Sequence, residues 1–252
     1  EGNAAPGLLI VSGGNEIRSG AHAGQAAMAA HFAGLGYPVF RYDRRGIGDS
    51  EGENGGFEAS AADISAAVAA FRAEAPHVTR IIAFGNCDAA TSLAFFHAGL
   101  GIDRLLLANP WVIEASGQTA DEPTPPSAAA VRARYWARLK NPRSLLDLLT
   151  GKIDLRKLAR GLKTAATNDA PSQLAARLAH ALGQSTTPAT ILIAERDSTA
   201  LAFLSAWASA DFAAVRSRPD IHLERIDSAS HSFADAASSA WLRQQIAAAL
   251  NS

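Results

Sequence analysis

Gly85-Asn86-Cys87-Asp88-Ala89 is the stretch on which the reading of this chain turns. It sets the only cysteine of 252 residues at the centre of a small-x-nucleophile-x-small pentapeptide. An apolar run, Arg80-Ile81-Ile82-Ala83-Phe84, precedes it, and an alanine-rich helical run from Ala89 to Ala98 follows. Strand, tight turn and helix in that order make a nucleophile elbow, a turn that lifts a reactive side chain above a sheet. Small residues are needed two before and two after the nucleophile, because strand and helix approach closely there. A lone cysteine is more often a small buried hydrophobe. The rest of the chain must therefore argue for the thiol.

Working outward, Leu8-Leu9-Ile10-Val11 reads as a buried strand closed by Ser12-Gly13-Gly14-Asn15. A helix is expected from Ala21 to Leu35, a second strand over Tyr37 to Tyr42, and a helix from Ser60 to Ala75 with Ala61, Ile64, Val68 and Phe71 on one face. The strand into Cys87 comes third and Arg104–Ala108 fourth, ending at Asn109-Pro110-Trp111. Continuous apolar strands alternating with helices predict parallel β-α-β units with both sheet faces covered. From Val112 to about Thr187 no strand is legible, and Ala128 to Ala181 reads as helices. Alternation resumes with a strand over Ala189 to Ala194, a helix from Ala200 to Ala214, a strand over Ile221 to Ile226 and a helix from Ser238 to Leu250. The expected division is a core of 1–111 and 188–252, with a helical cap insertion over 112–187.

Three residues then fall just beyond strand ends, in the order Cys87, Asp197, His231. Open α/β sheets bind ligands at that edge. Nucleophile, acid, histidine is also the chain order of a hydrolase triad on such a sheet. Cys87 would attack an acyl carbon, His231 would carry the proton, and Asp197 would orient His231 and stabilise its cation. A thiolate–imidazolium pair is the expected resting state, since an adjacent cation and a helix N-terminus both favour a thiolate. Taken singly, Asp197 reads as a turn or helix cap and His231 as a surface histidine; their shared placement argues for catalysis. Asp88 makes a poorer nucleophile, because its frame would open on Asn86 instead of a glycine. Its backbone N–H is the expected first half of an oxyanion hole, with the loop Gly13-Gly14-Asn15 supplying the second through Asn15 or Gly14. The run Asp43-Arg44-Arg45-Gly46-Ile47-Gly48-Asp49-Ser50 is read as a pinned structural turn; it lacks the ending of a phosphate loop.

Bulk properties narrow the classes. A net charge of −1 gives no electrostatic case for nucleic acid. One cysteine cannot form an internal disulfide, which fits a reducing compartment. No run has the roughly 18 apolar residues of a membrane span, and no signal segment opens the chain, so a soluble cytoplasmic protein is expected. No cofactor and no metal are expected.

The motif Asp-x-Arg-Gly-x-Gly-Asp-Ser at 43–50, the elbow at Cys87, and Asp197 with His231 resemble the α/β-hydrolase superfamily. Within it the chain resembles the exosortase A system-associated hydrolase 1 family. The residues that carry this are Val11 to His22, the Gly-x-Cys-Asp-Ala-Ala elbow and Asn109-Pro110-Trp111-Val112. The resemblance implies an α/β-hydrolase fold, with a mostly parallel central sheet flanked by helices. It also implies a hydrolase found alongside bacterial exosortase and exopolysaccharide genes, with no settled substrate. Such hydrolases usually begin with two further strands, and Glu1 is not a methionine, so the natural chain is expected to extend upstream.

Ten Lys and Arg residues lie between Arg132 and Lys163 against only Asp147 and Asp154, interleaved with leucines, Tyr135 and Trp136. The ordinary explanation is the solvated face of amphipathic cap helices. The functional alternative is docking of an anionic partner: a phosphopantetheine-bearing carrier, coenzyme A, an anionic glycan or a membrane surface. Trp111, Tyr135 and Trp136 are the expected substrate contacts. The sequence thus predicts cleavage of an ester or thioester through an acyl-cysteine, on a small-molecule or carrier-bound acyl substrate. Two alternatives stand beside it, acyl transfer from the same intermediate and a non-catalytic binding member of the fold.

Overall fold

The computed structural model describes residues 5–114 and 172–252. Six strands form one sheet in the order β2-β1-β3-β4-β5-β6, and every neighbouring pair is parallel. They are β1 Ala5–Val11, β2 Val39–Arg41, β3 Val78–Asn86, β4 Arg104–Ala108, β5 Ala189–Ala194 and β6 Ile221–Ile226. The fourth, fifth and sixth match the expected bounds residue for residue. The helices are α1 Gly24–Gly34, α2 Ala61–Glu74, α3 Asp88–Phe96, α4 Gln173–Gln184, α5 Ser198–Trp207, α6 Ala213–Arg216 and α7 Ala236–Leu250.

The strands read as unbroken apolar runs because each face is covered by helices. Leu9, Val11, Ala83, Leu105, Leu107 and Ile191 face one way, against Ile64 and Phe71 of α2, Leu93 of α3, Leu178 of α4 and Phe203 of α5. Leu8, Ile10, Ile82, Phe84, Leu106 and Leu192 face the other way, against Phe32 of α1 and Ile246 of α7. Leu105, Leu106 and Leu107 have no solvent exposure, and each such side chain contributes about 2 kcal/mol by leaving water. Helix α4 lies within the stretch assigned from sequence to the insertion. Its Ala175, Leu178 and Leu182 nevertheless join the core that covers the sheet. The remaining insertion residues, 115–171, lie outside the described residues, and with them the basic run from Arg132 to Lys163.

Two helices depart from expectation. The helix expected from Ala21 begins only at Gly24, because His22 and Ala23 are left-handed, at φ 52° and 55°. The helix expected from Ala200 to Ala214 is two, α5 and α6. Phe212, fully buried and edge-on to Phe203 at 5.7 Å, draws the chain inward between them. Arg216 then donates to the carbonyls of Trp207 and, at 2.9 Å, Ser209, which the broken helix leaves open.

The sheet order places the functional end. From β1 the chain runs outward to β2, then crosses back to β3 on the other side of β1. That reversal opens a crevice at the carboxyl ends of β1 and β3, where Val11 is in register with Gly85. The loop Ser12–Asn15 and Cys87 both leave the sheet at this point.

Candidate active site

Strand β3 ends at Asn86 and α3 begins at Asp88, so a single residue makes the turn. Cys87 takes φ 62° and ψ −126°, a conformation that non-glycine residues avoid, at a cost of order 1–3 kcal/mol. Its N–H donates to Ala108 O at 2.9 Å, and its carbonyl accepts from the N–H of Ala90 at 3.1 Å and of Trp111 at 3.2 Å. These bonds hold the strained turn. Gly85 permits it, since a Cβ there would stand 2.8 Å from the carbonyl carbon of Ala89.

Asp197 follows β5 and caps α5, Oδ2 accepting from Ala200 N–H at 3.0 Å. The same oxygen faces His231 Nδ1 at 3.0 Å. The two sequence readings of Asp197, helix cap and histidine partner, are both realised by one carboxylate oxygen. Asp197 is buried, while His231 is half-buried. Cys87 is half-buried. The Asp197 carboxylate and, next, Cys87 raise the His231 pKa to about 10 against the opposing effect of burial. The imidazolium form is therefore favoured at neutral pH, with Asp197 at Nδ1. His231 and Asp197 meet at 3.0 Å, with Cys87 near enough to act on the imidazole.

The loop carrying His231 is itself braced. Asn86 Nδ2 and Asn109 Nδ2 each donate to His231 O at 3.1 Å. Asn109 is fully buried at φ 40°, and its Oδ1 accepts from Ala194 N–H at 2.9 Å. Further along, Ser228 Oγ donates to Asp235 Oδ2 at 2.8 Å, and Asp235 caps α7 through Ser238 N–H at 2.9 Å. Neither asparagine was singled out for this from the residues. The available signal was position, each at the end of a buried strand where an amide can serve two loops.

On the other side of Cys87, the Gly14 N–H donates to Asp88 Oδ1 at 2.6 Å. Of the expected oxyanion donors, Gly14 is thus engaged by a side chain in this structure. The Asn15 side chain is engaged too, its Oδ1 accepting from Asn54 Nδ2 at 2.9 Å. Trp111 is half-buried and lines a recess of about 440 Å³ with Phe57, Ile113 and Leu174. Tyr135 and Trp136 lie outside the described residues. The run 43–50 has the structural role expected of it: buried Asp43 accepts from Arg18 and, at 3.2 Å, from Asp49 N–H. Among the described residues no group of three or more His, Cys, Asp or Glu is placed to hold a metal, and no helix is long and apolar enough to cross a membrane.

Residues 7–235 match the family described as Serine aminopeptidase, S33. No curated protein sequence matches the chain. Among solved structures it is similar to the Pyrococcus furiosus esterase Pf2001, at TM-score 0.61 and 12% identity, over 98% of this chain and 82% of that one. It is likewise similar to the Exiguobacterium antarcticum esterase EaEST, at TM-score 0.56 and 15% identity over 98% and 93%. An α/β-hydrolase from Sphaerobacter thermophilus gives TM-score 0.53 and 18% identity over 97% and 93%. At these identities the likeness is one of fold. The family description names a serine enzyme, whereas the elbow here carries Cys87.

Proposed function

Since this chain belongs to the α/β-hydrolase family of S33 serine aminopeptidases, we propose that it cleaves an ester or thioester bond through an acyl intermediate on Cys87. The observation that carries this reading is His231, paired with the Asp197 carboxylate at 3.0 Å and with its pKa raised also by the nearby Cys87 of a strained elbow.

The steps follow from which nitrogen faces which partner. Nδ1 is taken by Asp197, which leaves Nε2 for the sulfur and the leaving group. With the proton resting on His231, Sγ attacks the acyl carbon as thiolate and forms the C–S bond. The carbonyl π electrons move onto oxygen, which the Asp88 N–H and the Asn15 N–H are proposed to receive. Collapse of this oxyanion breaks the bond to the alcohol or thiol, which leaves with the proton from Nε2. Water then attacks the acyl-cysteine, giving its proton to Nε2, and the acid departs as the thiolate–imidazolium pair is restored. A histidine with pKa about 10 suits the acid half of this cycle, because it reaches the leaving group already protonated.

The recess lined by Trp111 is the proposed acyl site, on a small-molecule or carrier-bound substrate. The Gly-x-Cys-Asp-Ala-Ala and Asn-Pro-Trp-Val motifs, through their resemblance to the exosortase A system-associated hydrolase 1 family, favour a substrate from an exopolysaccharide system.

Turnover of p-nitrophenyl butyrate and butyryl-CoA by wild type, Cys87→Ala and Cys87→Ser, with intact-mass trapping of the acyl-enzyme, tests the proposal. The wild type should gain one acyl group and Cys87→Ala none. Unchanged turnover in Cys87→Ala would overturn it.

A further inference from the structure

The side chain of Asp88 has no part in the steps above, yet it makes one of the shortest contacts at the site. Its Oδ1 accepts the Gly14 N–H at 2.6 Å, bridging residues 74 apart in the chain. The backbone is shaped to allow this. A Cβ on residue 13 would stand 2.6 Å from Asp88 Oδ1 and 2.6 Å from Asn86 O, so only glycine lets the loop approach the elbow so closely. At the next residue, Arg44, 5% exposed, donates through Nη2 to Gly14 O.

These two bonds fix two successive peptide planes. The Gly14 N–H belongs to the 13–14 peptide and the Gly14 carbonyl to the 14–15 peptide. The chain contains no cis peptide among the described residues, so each N–H points opposite to its own carbonyl. With Arg44 drawing the Gly14 carbonyl one way, the Asn15 N–H is directed the other way. With Asp88 holding the preceding plane, the loop cannot rotate to undo this.

We propose that the Asp88 carboxyl is a positioning residue for the oxyanion site: by taking the Gly14 N–H it locks the loop after β1 onto the elbow and holds the Asn15 N–H ready beside the Asp88 N–H. This rests on the acyl-cysteine reading above. A full negative charge here would oppose the developing oxyanion, and the surroundings temper it. Burial pushes the Asp88 carboxyl up towards its neutral form, outweighing the Gly14 N–H and the Arg44 charge that pull it down. What the loop needs from residue 88 is an acceptor oxygen, and an amide supplies one equally well.

The test compares Asp88→Ala and Asp88→Asn on p-nitrophenyl butyrate and butyryl-CoA. It also uses an alkyl trifluoromethyl ketone, which forms a tetrahedral oxyanion with a cysteine thiolate. Asp88→Ala should lower kcat about 10- to 100-fold at nearly unchanged KM, a partial version of the loss seen when an oxyanion donor is removed. The ketone should weaken by a similar factor, a readout that loosened folding alone would not couple to kcat. Asp88→Asn, which keeps Oδ1, should restore both. Should Asp88→Ala not fold, Asp88→Ser serves, since its hydroxyl stops short of the Gly14 N–H. Wild-type kcat and ketone affinity in Ala or Ser, or an Asn variant as impaired as Ala, would overturn the proposal. If Cys87→Ala is inactive while the Asp88 variants behave as wild type, only the positioning role fails; if Cys87→Ala stays active, the acyl-cysteine reading itself fails.

Discussion

Asn109 Nδ2 donates to the carbonyl oxygen of His231 at 3.1 Å while Asn109 Oδ1 accepts the Ala194 N–H at 2.9 Å. One buried amide thus joins the end of β4 to the end of β5 and to the histidine loop. Asn109→Ala strands the buried Ala194 N–H, which costs about 1–3 kcal/mol. It also leaves His231 O to Asn86 alone. A lower urea midpoint with a lower kcat is expected; a variant equal to wild type in both would remove Asn109 from the bracing.

Asp197 separates a stability role from a chemical one. Asp197→Asn keeps an oxygen for the Ala200 N–H, so the cap of α5 should survive, while the lost charge beside the His231 cation should lower the melting temperature below about pH 10. Its loss of charge beside His231 should lower kcat about 100- to 10,000-fold. Asp197→Ala should in addition lose the cap of α5, about 1 kcal/mol of stability. Equal turnover in wild type and Asp197→Asn would argue against the triad.

The pH dependence of stability has a definite sign. His231 has a folded pKa of about 10, above its ordinary 6.5. Protonation therefore favours the folded state, fully below pH 6.5, and that contribution fades as pH rises through about 10. The melting temperature of wild type relative to His231→Gln should be highest near pH 6 and should converge by pH 10.5. A gap that is flat or widens with pH would contradict the Asp197–His231–Cys87 arrangement.

Gly85→Ala places a methyl 2.8 Å from the Ala89 carbonyl carbon and 3.0 Å from Ala90 N, against backbone that must shift to admit it. Overpacking of this kind costs about 1–3 kcal/mol. Because strand and helix must part at the elbow, activity should fall further than stability. Equilibrium unfolding beside kcat would show this; full activity with lost stability would mean the turn tolerates the displacement.

Much of the fold was legible in the residues. Leu105–Leu107 and Ile191–Ile193 are buried on both faces, so their apolar runs have matching boundaries in sequence and sheet. Two helices were harder to read. The alanines from 200 to 214 favour helix locally, and only the packing of Phe212 against Phe203 shows why the helix must break. His22 and Ala23 look helical in sequence, yet their backbone is left-handed.

The site divides in the same way. Sequence alone determined which residues end the strands, and therefore that Cys87, Asp197 and His231 leave the sheet at one edge. The spacing of parallel strands makes that consequence unavoidable once the strands are placed. Tertiary structure decided the partners: that Asp197 shares one oxygen between Ala200 and His231, that Asn86 and Asn109 grip the histidine loop, and that Asp88 reaches Gly14. Apart from the local cap to Ala200, each of these is a hydrogen bond of about 3 Å between segments far apart in the chain, and no local pattern of residues encodes such a distance. It exists only after the sheet has brought the strand ends together.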